Sequence, residues 1–102
     1  MHFLAHFFTG AFLCNALPHL AAGLQGRSFP TPFARPRGVG LSTPLVNVLW
    51  GFFNLLAGLA LLTSDPAAVA ATPEFGVVCA GALVLGAYLA VHFGRLPKDA
   101  HQ

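Results

Sequence analysis

Charged side chains are scarce in this chain of 102 residues, which holds five basic and three acidic residues, or 8% of the total. Soluble domains carry about a quarter of their residues as charged side chains, so a water-soluble globule is excluded. Hydrophobic residues make up 56% of the sequence, and ten phenylalanines argue against a disordered chain. The length accommodates a single domain. The composition is typical of a small integral membrane protein.

Patterns that carry enzymatic or metal chemistry are also missing. The two cysteines, Cys14 and Cys79, form no CxxC pair, so nothing indicates a zinc finger or a redox motif. No glycine-rich loop of the phosphate-binding type and no paired carboxylates are evident. We therefore predict no metal site and no cofactor, and the sequence favours a protein that is not an enzyme. The net charge is only +2, and nucleic acid is not expected as a partner.

Three charge-free stretches, at 1–26, 38–64 and 75–94, separate the charged residues. Each contains the run of roughly 20 apolar residues that a helix needs to cross a membrane, without the alternation of barrel strands. We predict an all-α integral membrane bundle of three transmembrane helices. Its single membrane domain has helix one at 3–24, a cytoplasmic loop at 25–43, helix two at 44–62, an external loop at 63–73, helix three at 74–94 and a cytoplasmic tail at 95–102.

Local chemistry supports these boundaries. Residues 25–43 are rich in proline, glycine and arginine, which is typical of a loop. Ser42 or Thr43 can cap helix two, with Pro44 at its first position, and Thr72-Pro73-Glu74 repeats this pattern at helix three. Asp65-Pro66 predicts one or two short helical turns in the second loop.

The basic residues predict the orientation of the chain. Since cytoplasmic loops carry the excess of lysine and arginine, the N-terminus is expected outside and the C-terminus inside. The same residues can contact anionic lipid headgroups. They lie in the first loop and the tail: Arg27, Arg35, Arg37, Arg95 and Lys98.

Residues 1–22 have an alternative interpretation as a signal peptide, with Ala21 and Ala22 near a cleavage site. A signal peptide begins with a positively charged segment, and no lysine or arginine precedes Arg27. Retention as helix one is the favoured interpretation.

Polar side chains inside the spans gather in one layer beneath the arginine-bearing loop. Buried polar groups in a membrane face a protein interior or a cavity, and ionisable ones are candidates for function. We predict these residues as a ligand-binding set: Asn15, His19, Asn47, Trp50, Asn54, Tyr88 and His92. His19 and His92 share a leaflet, so a bis-histidine haem or copper site is conceivable, although no specific signature supports it. His6 belongs to the opposite leaflet.

Small residues at helical spacing predict where helices pack. Asn47, Gly51, Asn54 and Gly58 repeat at intervals of four, three and four residues on helix two. Such positions let membrane helices approach closely and hydrogen-bond, so a structural role is favoured for both asparagines. A second stripe on helix three predicts self-association, and its members are Cys79, Ala82, Gly86 and Ala90.

The segments 15–19, 31–33 and 47–54 read N-A-L-P-H, T-P-F and N-V-L-W-G-F-F-N. In this pattern the chain resembles an uncharacterised family of small bacterial multi-spanning membrane proteins, over residues 3–62. The resemblance implies a bacterial inner-membrane protein and supplies no activity. It also suggests that 29–33 fold back toward the polar layer.

Three functions are compatible with the sequence. The first is a structural or accessory protein that associates with itself or with another membrane protein through its helices. The second is an oligomeric module that binds or transports a small solute, an ion or a proton through the Asn/His layer. The third is a membrane redox protein that holds haem or a metal between His19 and His92.

Overall fold

The computed structural model describes residues 2–96. Three long helices dominate it: α1 (His2–Leu24), α2 (Pro44–Thr63) and α3 (Pro73–Gly94). Each contains an apolar segment long enough to cross a membrane. The predicted all-α bundle of three spans is thus confirmed, whereas Lys98 lies outside the described residues.

Helices α2 and α3 begin as the sequence predicts, each after a threonine cap. The Thr43 hydroxyl accepts a hydrogen bond from the Val46 amide at 3.2 Å, and the Thr72 hydroxyl accepts one from the Phe75 amide at 3.3 Å. A proline follows each cap, where its missing N–H leaves no helical bond unmade. Between α2 and α3, Asp65 caps a one-turn 3₁₀ helix, Pro66–Val69.

Helix α1 is the centre of the bundle, because it makes the main contacts with both α2 and α3. Its contact with α3 is a crossing at two glycines. A side chain at Gly10 would collide with the backbone of Val78 and Ala82, and one at Gly81 would collide with the backbone of Phe7. Lipid provides no hydrophobic driving force between helices, so close backbone packing of this kind supplies the attraction.

The contact of α1 with α2 uses the spacing noted in the sequence. Asn47, Gly51, Asn54 and Gly58 are all buried on α2. A Cβ atom at Gly51 would lie 3.0 Å from the Leu20 backbone nitrogen, and one at Gly58 would lie 3.2 Å from that of Leu13. The stripe therefore alternates close backbone contacts with amide side chains.

The loop between α1 and α2 folds back over one end of the bundle. Two short strands, β1 (Phe29–Pro30) and β2 (Leu41–Ser42), pair antiparallel, with Phe29 opposite Ser42. Sequence composition predicts an irregular segment here and misses this pairing. The side chains of Thr31 and Ser42 hydrogen-bond at 2.5 Å. We call this the arginine end, where α1 ends, α2 begins and α3 ends; the opposite end, which carries Asp65 and Glu74, is the acidic end.

The α1–α3 crossing predicts unequal effects for two glycines of α3. Replacing Gly81 with Leu should lower the free energy of unfolding by about 2 kcal/mol or more, since the side chain would displace the Phe7 backbone. Replacing Gly76 with Leu is the matched control, because nothing lies within 4 Å of its added Cβ. Thermal unfolding in detergent, followed by circular dichroism, measures both. Equal melting temperatures for the two variants would contradict this crossing.

Candidate functional site

The Asn47 side chain binds the loop to α2 at the arginine end. Its Nδ2 group donates to the carbonyl oxygens of Phe29 at 2.9 Å, Thr43 at 3.1 Å and Ser42 at 3.3 Å. All three partners only accept hydrogen bonds, so the amide nitrogen must face the loop. The Asn47 oxygen consequently faces His19 on α1.

The orientation of the Asn47 amide determines the tautomer of His19. Its Nδ1 lies 2.8 Å from the Asn47 Oδ1. An amide oxygen cannot donate, so Nδ1 carries the proton and Nε2 of the neutral ring presents a lone pair. Only 3% of His19 is exposed, and within residues 2–96 its Nε2 makes no hydrogen bond. The ring therefore presents an acceptor that no group of the described chain pairs with.

Trp50 lies beside His19, with 6.4 Å between the ring centroids. Phe33 of the loop meets the indole edge-on at 5.1 Å, and Phe53 stacks on it at 5.6 Å. The indole Nε1 is buried and has no hydrogen-bond partner within the described chain. Since an indole N–H can only donate, Trp50 presents a donor without a partner.

A cavity of about 120 Å³ lies among the three helices and the loop. Water needs roughly 10–15 Å³ of such volume, so the space can hold several water-sized groups. All three helices and the loop contribute polar residues to its lining: Asn15, His19, Thr31, Trp50, Tyr88 and His92. The structure therefore brings five of the seven predicted ligand-binding residues to one cavity.

The two other predicted residues, Asn47 and Asn54, do not line the cavity but hydrogen-bond to residues that form its wall. Asn54 donates to the Trp50 carbonyl oxygen at 2.8 Å and accepts from Asn15 Nδ2 at 3.0 Å. The bond from Asn15 joins α1 to α2 in the middle of the bundle, whereas the bond to Trp50 lies within α2. Asn47 positions His19 and the loop. Both asparagines therefore organise the cavity wall without lining it.

Helix α3 contributes His92 and Tyr88 to the lining. The Nε2 of His92 donates to the Gly38 carbonyl oxygen at 2.6 Å, which ties α3 to the loop. Because this nitrogen carries a proton, it is not available as a metal ligand in this arrangement. Tyr88 is 60% exposed and stacks on His92 with nearly parallel rings. Within residues 2–96, no group of three or more potential metal-ligating side chains is found.

The small-residue stripe predicted on α3 is divided between two surfaces. Ala82 packs beside Gly10, and a Cβ atom at Gly86 would lie 3.4 Å from the Cys14 sulfur, so both belong to the α1 interface. Cys79 and Ala90 are exposed. The stripe is therefore not one free surface.

The arginines of the described chain are exposed at the arginine end: Arg27, Arg35, Arg37 and Arg95. Of these, Arg27 donates to the Gln25 side chain at 2.6 Å. None of them lines the cavity.

A second polar contact, at the acidic end, was missed by the sequence analysis. His6 on α1 is buried, and its Nε2 lies 2.9 Å from the Asp65 carboxylate, while Asp65 also accepts from the Ala67 amide. The position of His6 along helix one predicts that it lies in the same membrane leaflet as the second loop. Asp65 lies two residues after the end of α2, so the common depth of His6 and Asp65 was the signal that could have paired them.

Comparison of the chain with protein-family models, with curated proteins and with solved structures finds no match. The resemblance noted in the sequence therefore stays a prediction, and the geometry of the site carries the functional argument.

Asn47 should control the loop, whereas Asn54 should not. Replacing Asn47 with Leu removes the three bonds to loop carbonyls, so amide hydrogen exchange across 28–42 should accelerate at least about tenfold. Replacing Asn54 with Leu removes a similar amide in mid-bundle and should leave exchange in this segment unchanged. Mass spectrometry of exchanged peptides measures both, and identical loop exchange in the two variants would refute this role of Asn47.

Asp65 should contribute more stability than its neighbour in the same end of the bundle, Glu74. Replacing Asp65 with Ala leaves the buried His6 ring without its partner and should lower the free energy of unfolding by about 1–3 kcal/mol. Glu74 only favours the first turn of α3, so Glu74→Ala should cost at most about 1 kcal/mol. Unfolding by titration with a denaturing detergent gives both values; a larger loss at Glu74 would rule out the His6–Asp65 contact as a stabilising one.

Proposed function

We propose that this protein is a membrane-embedded module that binds a small polar solute in the cavity at the arginine end. The observation that carries the proposal is a cavity lined by polar side chains from all three helices and the loop, in which His19 Nε2 makes no hydrogen bond within residues 2–96. In the neutral ring this nitrogen can only accept, so a solute that donates to it finds a partner there.

Hydrogen bonds hold several side chains of the cavity wall in place. Asn47 positions His19 and the loop, His92 donates to Gly38, and Asn15 donates to Asn54. A solute that donates to His19 Nε2 therefore binds with little ordering of these side chains.

Size favours a small solute over haem. Sites for cofactors and drug-sized ligands usually measure about 300–1,000 Å³, well above this cavity of about 120 Å³.

The proposal concerns binding at one end of the bundle. In the described chain, the central amides of Asn15 and Asn54 bond to each other, and the Gly10–Gly81 crossing closes the α1–α3 interface. We further propose that the arginine end faces the cytoplasm of a bacterial inner membrane, since its loop carries three arginines. Self-association remains a separate proposal, for which Cys79 and Ala90 leave a free surface.

The single tryptophan provides a reporter inside the site. In ¹⁵N-labelled protein in detergent, its indole N–H gives one resonance, which can be followed while methanol, formamide, acetone, acetamide or acetate is added. At least one probe should shift this resonance saturably, in about the millimolar range expected for so small a ligand.

Two matched variants locate the binding. Leu89 lines the cavity, so Leu89→Phe should fill it and abolish saturation without removing a hydrogen bond. Leu83→Phe is the control, because Leu83 is 74% exposed on the same helix. Non-saturating shifts with every probe, or the same saturation in Leu89→Phe as in the unaltered protein, would overturn the proposal.

A further inference from the structure

The two asparagines of α2 determine which atoms of α1 are left for the cavity. The Asn54 Nδ2 group donates to the Trp50 carbonyl oxygen, which can only accept, so the Asn54 oxygen faces the Asn15 amide. Asn15 therefore donates its Nδ2 to Asn54, and its own oxygen makes no hydrogen bond within residues 2–96. Asn47 orients His19 in the same way, and the atom left unpaired there is Nε2.

The two unpaired atoms, Asn15 Oδ1 and His19 Nε2, are acceptors that a solute can reach. Both residues line the same cavity. In the described chain, the unpaired side-chain atoms with almost no accessible surface are His6 Nδ1 and Trp50 Nε1, and neither acceptor is among them. Asn15 and His19 are four positions apart on α1, so their Cβ atoms lie about 5–6 Å from each other on one face. The cavity therefore presents two neighbouring acceptors.

The lining of the cavity also limits the charge and the size of a solute. The described residues that line it include no Asp, Glu, Lys or Arg. Transfer of an unpaired ion from water to such a site is far more costly than transfer of a neutral polar molecule, which excludes ammonium ions although they donate several hydrogen bonds. The volume of about 120 Å³ accommodates only a few water-sized groups.

We infer that the cavity selects small neutral diols, whose two hydroxyl groups donate to Asn15 Oδ1 and His19 Nε2. Hydroxyl groups on adjacent carbons can each approach a separate acceptor to the usual distance of about 2.8 Å. Each hydroxyl oxygen also accepts, so it can pair with the second hydrogen of the Asn15 amide. An alcohol with a single hydroxyl leaves one acceptor unpaired. This inference rests on the proposed function, because it specifies the solute of the same cavity.

Three molecules with the same number of non-hydrogen atoms separate the effect of donors from that of size. Ethylene glycol has two hydroxyl donors, propan-1-ol has one and acetone has none. Titration of the indole resonance should give saturable binding of ethylene glycol, about fivefold weaker binding of propan-1-ol and still weaker binding of acetone, since each lost hydrogen bond lowers the affinity. Selection by apolar contact would instead favour propan-1-ol over ethylene glycol.

The histidine provides a direct readout of its own contact. In histidine-labelled protein, the ¹⁵N resonance of His19 Nε2 should shift on saturation with ethylene glycol and stay in place with acetone, because only a hydroxyl group donates to this nitrogen. An unshifted resonance at saturating ethylene glycol would contradict the bond to His19.

Variants of α1 assign the two contacts. Asn15→Leu and His19→Leu each remove one acceptor, so each should bring the affinity for ethylene glycol close to that for propan-1-ol. Leu17→Ala is the matched control, because Leu17 lies between them on α1 and is 64% exposed, and the preference should be unchanged in it. The titrations of the unaltered protein test the inference even if an acceptor variant does not fold.

The outcomes separate this inference from the proposed function. Equal or tighter binding of propan-1-ol, or an unchanged preference in folded Asn15→Leu or His19→Leu protein, would overturn the diol assignment while leaving a small-solute site in place. Saturation by methanol or formamide but not by ethylene glycol would do the same. Saturation by none of the three molecules, nor by methanol, formamide, acetamide or acetate, would overturn the proposed function as well.

Discussion

The Asn47 amide joins three parts of the chain: the last turns of α1, the start of α2 and the loop between them. Its nitrogen is occupied by carbonyl groups on the loop side, so its oxygen turns to His19. One side chain thus sets the position of the loop, the tautomer of the histidine and the hydrogen-bonding character of the cavity. In a bilayer this is a strong constraint, because lipid provides no alternative partner for either group.

The glycines make this polar arrangement possible. Hydrogen bonds between membrane helices contribute only about 0.6 kcal/mol each, so they do not by themselves hold three helices together. Gly10 and Gly81 bring α1 against α3, and Gly51 and Gly58 bring α1 against α2. Since α1 is held on both sides, His19 faces α2 and the loop in a fixed orientation. Close packing at the glycines holds the helices together, and the amide side chains provide the hydrogen bonds that orient His19 and the loop.

Sequence alone could predict the spans, the helix caps and the layer of polar residues, because each depends on local composition or helical spacing. The spacing of Asn47, Gly51, Asn54 and Gly58 was enough to place all four on one face. It could not show that the face of α3 toward α1 contains Gly81, since α3 has small residues on several sides. The pairing of Phe29 with Ser42 and the bond from His92 to Gly38 depend on the path of the loop, which no helical period describes.

A purely structural role accounts for most of the buried polarity but not for all of it. Asn47, Asn54 and the His92 Nε2 all have partners, as bundle packing requires. Within the described residues, the buried Trp50 Nε1 and His6 Nδ1 have no partner, and His19 Nε2 beside the cavity makes no hydrogen bond. Water in the cavity could satisfy His19 Nε2, and it would do so without regard to the shape or the charge of any competitor. A built binding site differs in that it discriminates between molecules of equal size, so selectivity, and not occupancy alone, is the property that separates a solvated gap from a functional site.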